Sequence, residues 1–382
     1  MLIAFFTVIA IVGAYFFIIS LINKIWLEKE TQDATITDGP MISVLIPARD
    51  EEVHIGPCIE SLLSQTYKNY EILVINDNST DNTKAILEDL ENKNPEKLRV
   101  FDGKPLAEDW NGKPYALHQL VEHAKGEYLL LTDADTIHSS KSVSIAASNM
   151  VYHKVDFLSG YIKQQMGTLG EKVTIPLMYM MSFFIIPLWV CKWGKSSILA
   201  TAVGQYICIK KDTFIKTGGF EQVKNVTTED VFLARSMKLQ GAKTVFIDLN
   251  NAAVCRMYYS YKSCLKGISK NIYDFYNKKA ILLFLSIFGV GVYLAAPPFV
   301  TIYLTIQHFF LGRANLYALV AFWINLILMY FAWLFVFINQ KINKRYALLY
   351  PLFFINLIFI AFHSWLSAFT KKGHVWKGRI VH

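Results

Sequence analysis

The chain has 382 residues, 53% of them hydrophobic, and a formal net charge of +8. It is long enough for an enzyme domain plus membrane spans, and too apolar for an ordinary soluble protein of this size. Apolar and aromatic residues dominate wherever its basic residues cluster, so the excess is assigned to an anionic membrane face and no nucleic-acid partner is expected.

Residues 1–22 form an uncharged apolar run, enough to cross the ~30 Å hydrocarbon core. A signal peptide would carry basic residues before the run and a small-residue cleavage site after it. This segment has neither, so residues 1–23 read as a retained anchor, with Lys24 and Lys29 at its cytoplasmic end. The five cysteines (Cys58, Cys191, Cys208, Cys255, Cys264) contain no CxxC pair and read as reduced thiols. The Asn-x-Ser/Thr triplets at Asn78 and Asn225 read as chance matches.

Residues 24–275 form the expected catalytic domain. ISVLIP (42–47), EILVIN (71–76), LRVFD (98–102) and YLLLTD (128–133) look like buried strands, with helical patterns interleaved. That alternation predicts an α/β domain with a mostly parallel sheet and helices on both faces. Ligands bind such sheets at the carboxyl ends of the strands, where the acidic motifs fall.

The first strand runs into Pro47-Ala-Arg-Asp-Glu-Glu52 and the second into Asn76-Asp-Asn-Ser-Thr-Asp81. Either cluster alone fits helix capping, with Ser79 as an N-cap and acids in a first turn. At two consecutive strand ends they suggest carboxylates that accept hydrogen bonds from a base and ribose, with Asp77 the partner for a uracil N–H. Lys113, in a loop before a helical pattern, is a candidate to neutralise a diphosphate. Leu131-Thr-Asp-Ala-Asp135 leaves the fourth strand with two carboxylates one residue apart. A departing diphosphate needs its charge neutralised by a divalent ion, and Mg²⁺ takes one or two carboxylates plus phosphate oxygens. The expected cofactor is therefore Mg or Mn.

Residues 175–193 are apolar enough to tempt a transmembrane assignment. A crossing there would separate Asp133 and Asp135 from Glu229 and Asp230, so a helix lying in the interface is expected, with Trp189 and Trp193 at headgroup depth. A plain core helix is the alternative. Thr227-Thr-Glu-Asp230 fits a capping box, or else a catalytic pair in which Asp230 is the general base. Gly204-Gln205-Tyr206 and Gly218-Gly219-Phe220 supply loop backbone. Three apolar segments follow, roughly 280–304, 316–339 and 346–370, within a membrane region of 276–370. Pro297-Pro298 is a candidate break in the first. A basic tail, 371–382, closes the chain, and the topology of the last spans stays open.

Together PARDEE, NDNSTD, the Gly112–Leu117 stretch, TDADT, GQY, GGF and TED resemble the family 2 glycosyltransferases of the GT-A fold, from about residue 42 to 241. The WNGKPYALHQL stretch, Arg256-Met-Tyr and the closing spans are similar to the bacterial carotenoid and hopanoid-associated branch, whose members act on diaponeurosporenoate and chlorobactene. This resemblance implies that Glu51, Asp77, Lys113 and Asp133 hold the nucleotide, Asp135 the metal with Asp133 beside it, and that Asp230, with Glu229, is catalytic. Arg256 is the choice for the leaving-group cation. The Gln-x-x-Arg-Trp motif of processive synthases does not follow the TED segment, which argues for single transfer.

The expectation is thus an inverting, non-processive hexosyltransferase in the cell membrane. It would be multi-pass with its catalytic domain cytoplasmic, taking a nucleotide diphosphate sugar, preferably UDP-linked, and a membrane lipid acceptor from the lipid bilayer. A polyprenyl phosphate or glycerolipid acceptor is the alternative.

Overall fold

A computed structural model describes residues 2–30, 35–276, 278–313, 315–370, 374–376 and 379–381. A long helix, α1 (Leu2–Glu30), precedes the sheet and runs beyond the expected end of the anchor at residue 23. The elements β1 (Ile42–Ala48), α2 (Ile55–Leu63), β2 (Tyr70–Asn76), α3 (Thr83–Lys93), β3 (Leu98–Asp102), α4 (Gly112–His123) and β4 (Tyr128–Thr132) then alternate. Strands β2 and β4 are buried along their whole length, which is why their centres, Ile72–Ile75 and Leu129–Leu131, read as apolar runs. Parallel pairing of β1 with both β2 and β4 makes the strand order reverse there, opening a crevice at the carboxyl ends.

The next elements, whose strands the sequence reading did not name, complete the α/β region. They are β5 (Thr136–His138), α5 (Ser142–His153), β6 (Phe157–Tyr161), β7 (Lys163–Gln164), α6 (Leu169–Thr174), α7 (Trp189–Trp193), β8 (Tyr206–Lys210), α8 (Lys211–Lys216), α9 (Glu229–Leu239), β9 (Thr244–Asp248) and β10 (Ala253–Cys255). The main sheet has the order β3-β2-β1-β4-β8-β6-β9. It is mostly parallel, as expected, with β8 reversed against both β4 and β6. The reversal sets Tyr206 opposite Thr132, so Gly204 and Gln205 enter β8 beside the residues leaving β4. A small sheet, β5-β10-β7, sets Cys255 opposite Thr136, directly behind Asp135. A Cβ at Gly160 would lie 2.0 Å from the Ile247 carbonyl oxygen, so the β6–β9 contact requires glycine.

The chain closes with α10 (Tyr261–Phe275), α11 (Ala280–Val290), α12 (Pro297–Leu311), α13 (Leu316–Asn339), α14 (Tyr350–Phe369) and a hairpin of β11 (His374–Trp376) and β12 (Arg379–Val381). Among the described residues, Ile3–Lys29, Leu316–Asn339 and Lys344–Phe369 are helical and apolar enough to cross a membrane. The first closing segment is a pair bent by 41°: α11 ends in a wide turn, Gly291–Ala295, and α12 restarts at Pro297, where the proline pair suggested a break. Lys371, Lys372 and Lys377 of the basic tail lie outside the described residues.

Helices α1 and α13 run side by side in the same direction: Thr7 meets Tyr317, Gly13 meets Asn325 and Phe17 meets Phe335. A Cβ at Gly13 would come 2.9 Å from the Asn325 Cα, a close approach that small residues permit in membrane helices. Both helices end at the sheet edge, where Leu27 shares a core with Phe246 of β9 and the Asn339 side chain donates to Asp248 at 3.2 Å.

Residues 175–193 do not form the single helix expected. They fold as a 3₁₀ turn (Ile175–Leu177), a wide π-helical turn (Met180–Ile185) and the short α7. Pro176 and Pro187 remove backbone donors and break the run. Phe183, Phe184 and Leu188 are buried against the helices, and Asn23 of α1 donates to the carbonyls of Phe183 and Ile186, both at 2.8 Å. Trp189 and Trp193 are exposed.

Candidate functional site

The two loops at the ends of β1 and β2 are tied to each other. Asp50, with φ of 50°, turns its backbone N–H to the Ser79 hydroxyl at 3.0 Å, and its carboxylate accepts from the Thr80 N–H at 2.7 Å. Asp81 accepts from the Glu52 N–H, and Glu52 accepts from the Asn82 N–H, each at 3.0 Å. Asp50, Glu52 and Asp81 therefore hold the loops in shape. Ser79 takes part in this lacing and is not the cap of α3, whose N-cap is Asn82. Glu51 and Asp77 line the cavity beside the loops, and Arg49 donates to the Asp77 carbonyl at 2.7 Å.

Asp133 and Asp135 leave β4 into the same cavity, which has a volume of about 660 Å³. Lys113, in the first turn of α4, reaches across to Asp133 Oδ1 at 2.5 Å and Glu229 Oε1 at 3.3 Å. Burial acts to depress the Lys113 pKa, but Asp133 and Glu229 outweigh it and hold the ammonium above its ordinary range. Asp230 accepts from the backbone N–H groups of Gly204 and Val231, both at 2.8 Å. Helix α9 starts from Thr228 with no side-chain cap, so Thr227 and Asp230 do not form its capping box. Burial first, and Glu229 second, push the Asp230 carboxyl up to about 6. A side chain at Gly204 would meet Lys113 Nζ at 3.2 Å and Asp230 Oδ2 at 3.3 Å, which leaves only backbone at that point.

The structure thus brings together Glu51, Asp77, Lys113, Asp133, Asp135, Glu229 and Asp230. Arg256, the expected leaving-group cation, is the one residue of the expected set not brought to the cavity lining. It directly follows β10 and donates to both oxygens of buried Glu171, each at 3.3 Å. It also stacks 4.5 Å above the Tyr259 ring. Glu171 belongs to a capping box with Thr168 at the start of α6, and Arg256 is its charge partner. Arg256→Ala is expected to lower stability by about 2–3 kcal/mol, because it strips a buried carboxylate of its cation. Nucleotide affinity should be unchanged, as measured by thermal melts and nucleotide titration.

The cation that sequence reasoning missed is Lys270. It sits two turns beyond Lys262 in α10, and unlike Lys262 and Lys266, which are exposed, it lines the cavity. Its pKa is lowered by burial, against the attraction of Glu229. The four-residue spacing of the three lysines was the available signal, since it threads one stripe of a helix from solvent into the site.

Six carboxylates (Glu51, Asp77, Asp133, Asp135, Glu229, Asp230) line the cavity against three cations (Arg49, Lys113, Lys270). Such a site repels a diphosphate unless further positive charge is supplied. Asp135 carries the same message. Burial, then Asp133 and Glu51, push its carboxyl up to about 6, and its Oδ1 is buried with no hydrogen-bond partner. The described residues contain no cluster of three or more His, Cys, Asp or Glu suited to a metal. A two-carboxylate set fits a Mg²⁺-like ion that takes its other ligands from water and phosphate.

Residues 43–191 match the family model described as Glycosyl transferase family 2. Over 130 residues (34% of this chain) the sequence is 36% identical to a beta-monoglucosyldiacylglycerol synthase of Nostoc sp.. Over 260 residues (66% of this chain) it is 25% identical to a poly-beta-1,6-N-acetyl-D-glucosamine synthase of Staphylococcus aureus. The chain spans only about a quarter of the first relative's length (25%) and 58% of the second's. A mannosyltransferase from Pyrobaculum calidifontis, solved with GDP-Man and Mn²⁺, superposes with a TM-score of 0.55 at 17% identity, over 94% of this chain and 99% of that one. That likeness shows the fold. Residues 43–191 are thus similar to family 2 glycosyltransferases, and the whole-chain likeness to the mannosyltransferase is one of fold.

Proposed function

We propose that this protein transfers one hexose from a nucleotide diphosphate sugar, preferably UDP-linked, to a membrane lipid acceptor at the cytoplasmic face of the cell membrane. The observation that carries this reading is that one cavity is lined both by Asp77, Asp133, Asp135 and Asp230 and by apolar residues of the closing helices. Orientation rests on charge: Lys24, Lys29, Lys341, Lys344 and Arg345 stand at or just beyond the ends of α1 and α13 nearest the catalytic domain.

In this reading Asp77 accepts a hydrogen bond from the base and Glu51 from the ribose. Asp133 and Asp135 would hold a divalent ion, Mg or Mn, which neutralises charge on the departing diphosphate. Lys113 and Lys270 face the same phosphates as fixed positive charges. Asp230, oriented by the Gly204 and Val231 N–H groups, takes the proton of the acceptor hydroxyl as its oxygen bonds to the anomeric carbon. The bond from that carbon to the diphosphate breaks in the same displacement, which inverts the configuration. Glu229 keeps Lys113 aimed at the site. Release after one transfer follows from the missing Gln-x-x-Arg-Trp motif.

The acceptor proposed first is a carotenoid or related isoprenoid, on the sequence resemblance. A glycerolipid is the second reading, favoured by the name of the glucosyldiacylglycerol synthase relative. Lipid extracts of cells with and without the protein, labelled through a radioactive nucleotide sugar and analysed by mass spectrometry, distinguish them. Absence of any labelled lipid would remove the proposal.

Lys270→Met is expected to lower kcat about tenfold to a hundredfold at saturating donor, since a preorganised charge on the leaving group is lost. Single-turnover kinetics check this, and an unchanged chemical step would take Lys270 out of the reaction.

A further inference from the structure

The cavity does not stop at the carboxylates. Its lining also includes a mainly apolar set of residues from α10, α11 and α14, which we treat as one arm of the cavity. From α11 the lining residues are Leu283, Ser286, Ile287 and Val290, spaced three, four and seven positions from the first. That is one face of a helix. Ile268, Ile272 and Phe275 of α10 show the same spacing, and Leu357, Ile358 and Ala361 of α14 close the wall.

The opposite face of α11 is also apolar. Ile281, Leu282, Phe284, Leu285 and Phe288 are all exposed, and α14 presents Leu352, Ile355 and Phe359 in the same way. Helices apolar on every side belong in hydrocarbon. The arm therefore has a lipid-facing wall, is lined mainly by apolar side chains, and belongs to the same cavity as the proposed sugar-nucleotide site. Water in it would find few partners: the Ser286 hydroxyl is already engaged by Tyr276, at 2.6 Å.

We infer that the arm is the acceptor's chain-binding subsite, holding a single hydrocarbon chain whose hydroxyl-bearing end meets Asp230. This rests on the glycosyl-transfer reading above and adds to it the class of acceptor: an amphiphile with a terminal polar group on one long chain, drawn from the bilayer between α11 and α14. A nucleotide sugar does not fit there, because its charges would lose their solvation without partners.

The test uses the full chain in phosphatidylcholine vesicles, with hexadecanol carrying a terminal diazirine as probe. After photolysis, the expected labels fall on the inner faces, Leu283 to Val290 of α11 and Leu357 to Ala361 of α14. In Ile287→Trp the bulk of the indole should cut this labelling roughly tenfold, with UDP-sugar affinity unchanged. Ile358→Phe repeats the block from the other wall, so misfolding of one variant does not decide the outcome. Labels confined to Leu282, Leu285 and Phe288 and indifferent to both substitutions would mean simple bilayer contact, and would overturn the subsite. Hydrolysis of UDP-sugar by the same vesicles is followed in parallel. Turnover without inner-face labelling removes the subsite and leaves the transferase; inner-face labelling without turnover does the reverse.

Discussion

Asp135→Asn is expected to abolish sugar transfer, by about a thousandfold or more, while making the metal-free protein more stable. Both halves come from the same burial. The Asp135 carboxyl is pushed up to about 6 from an ordinary value near 3.8, so its charged form is disfavoured in the fold. Such a group costs stability as pH rises from the unfolded value through the folded one, and the full cost is present above about 6. Removing the charge should therefore recover about 1–3 kcal/mol at neutral pH and nothing near pH 3. Melting curves without divalent ions at the two pH values read this directly. Addition of Mn²⁺ should raise the wild-type melting temperature by ligand linkage and leave the variant where it is. Normal transfer by the variant, or an equal Mn²⁺ response in both proteins, would end the assignment of Asp135 to the cation.

Asp230→Asn is the second large effect, a loss of about a hundredfold to ten-thousandfold for a hydroxyl acceptor. The carboxylate must be unprotonated to accept a proton, and its carboxyl is held up to about 6. Wild-type kcat should climb as pH rises through about 6 and flatten above it. The variant, lacking the titrating base, should lose that limb and keep its low rate across the range. Asn retains an oxygen for the Gly204 N–H, so donor KM should hardly move. A wild-type profile flat between pH 5 and 8 would count against a base of about that pKa. An acceptor phosphate needs no proton removed, so with a polyprenyl phosphate the substitution should be nearly silent.

Much of this site was legible because buried parallel strands are conspicuous. EILVIN and YLLLT each have an apolar centre, and whatever follows them falls at the crevice. Less legible was which acids in PARDEE and NDNSTD face the ligand. Asp50, Glu52 and Asp81 differ from Glu51 and Asp77 only by the path of two turns, and those turns depend on left-handed backbone at Asp50 and Asn78. The pairing of Arg256 with Glu171 was not legible, because Glu171 lies 85 residues earlier and its burial has no sequence signature. Lys270 was hidden for the opposite reason. It stands in a basic run before the closing helices, where lysines ordinarily mark a membrane boundary, and its entry into the cavity follows from how α10 lies against α14, as in the Ser364 contact to Ser269 and Tyr273. The run at 175–193 looked like one helix because composition outweighed its two prolines.

The pairing of α1 with α13 also bears on how the protein is made. The Asn325 side chain donates to the Ile9 carbonyl across a separation of 316 residues, at 2.7 Å. During synthesis α1 emerges long before that neighbour exists, so the intervening α/β domain has time to collapse before the Gly13 face of α1 meets its partner helix. Pairing of α1 with α13 is then a late event that joins a finished domain to its first helix. Shortening the chain ahead of α13 would leave α1 with a notch that any passing helix of suitable shape can fill.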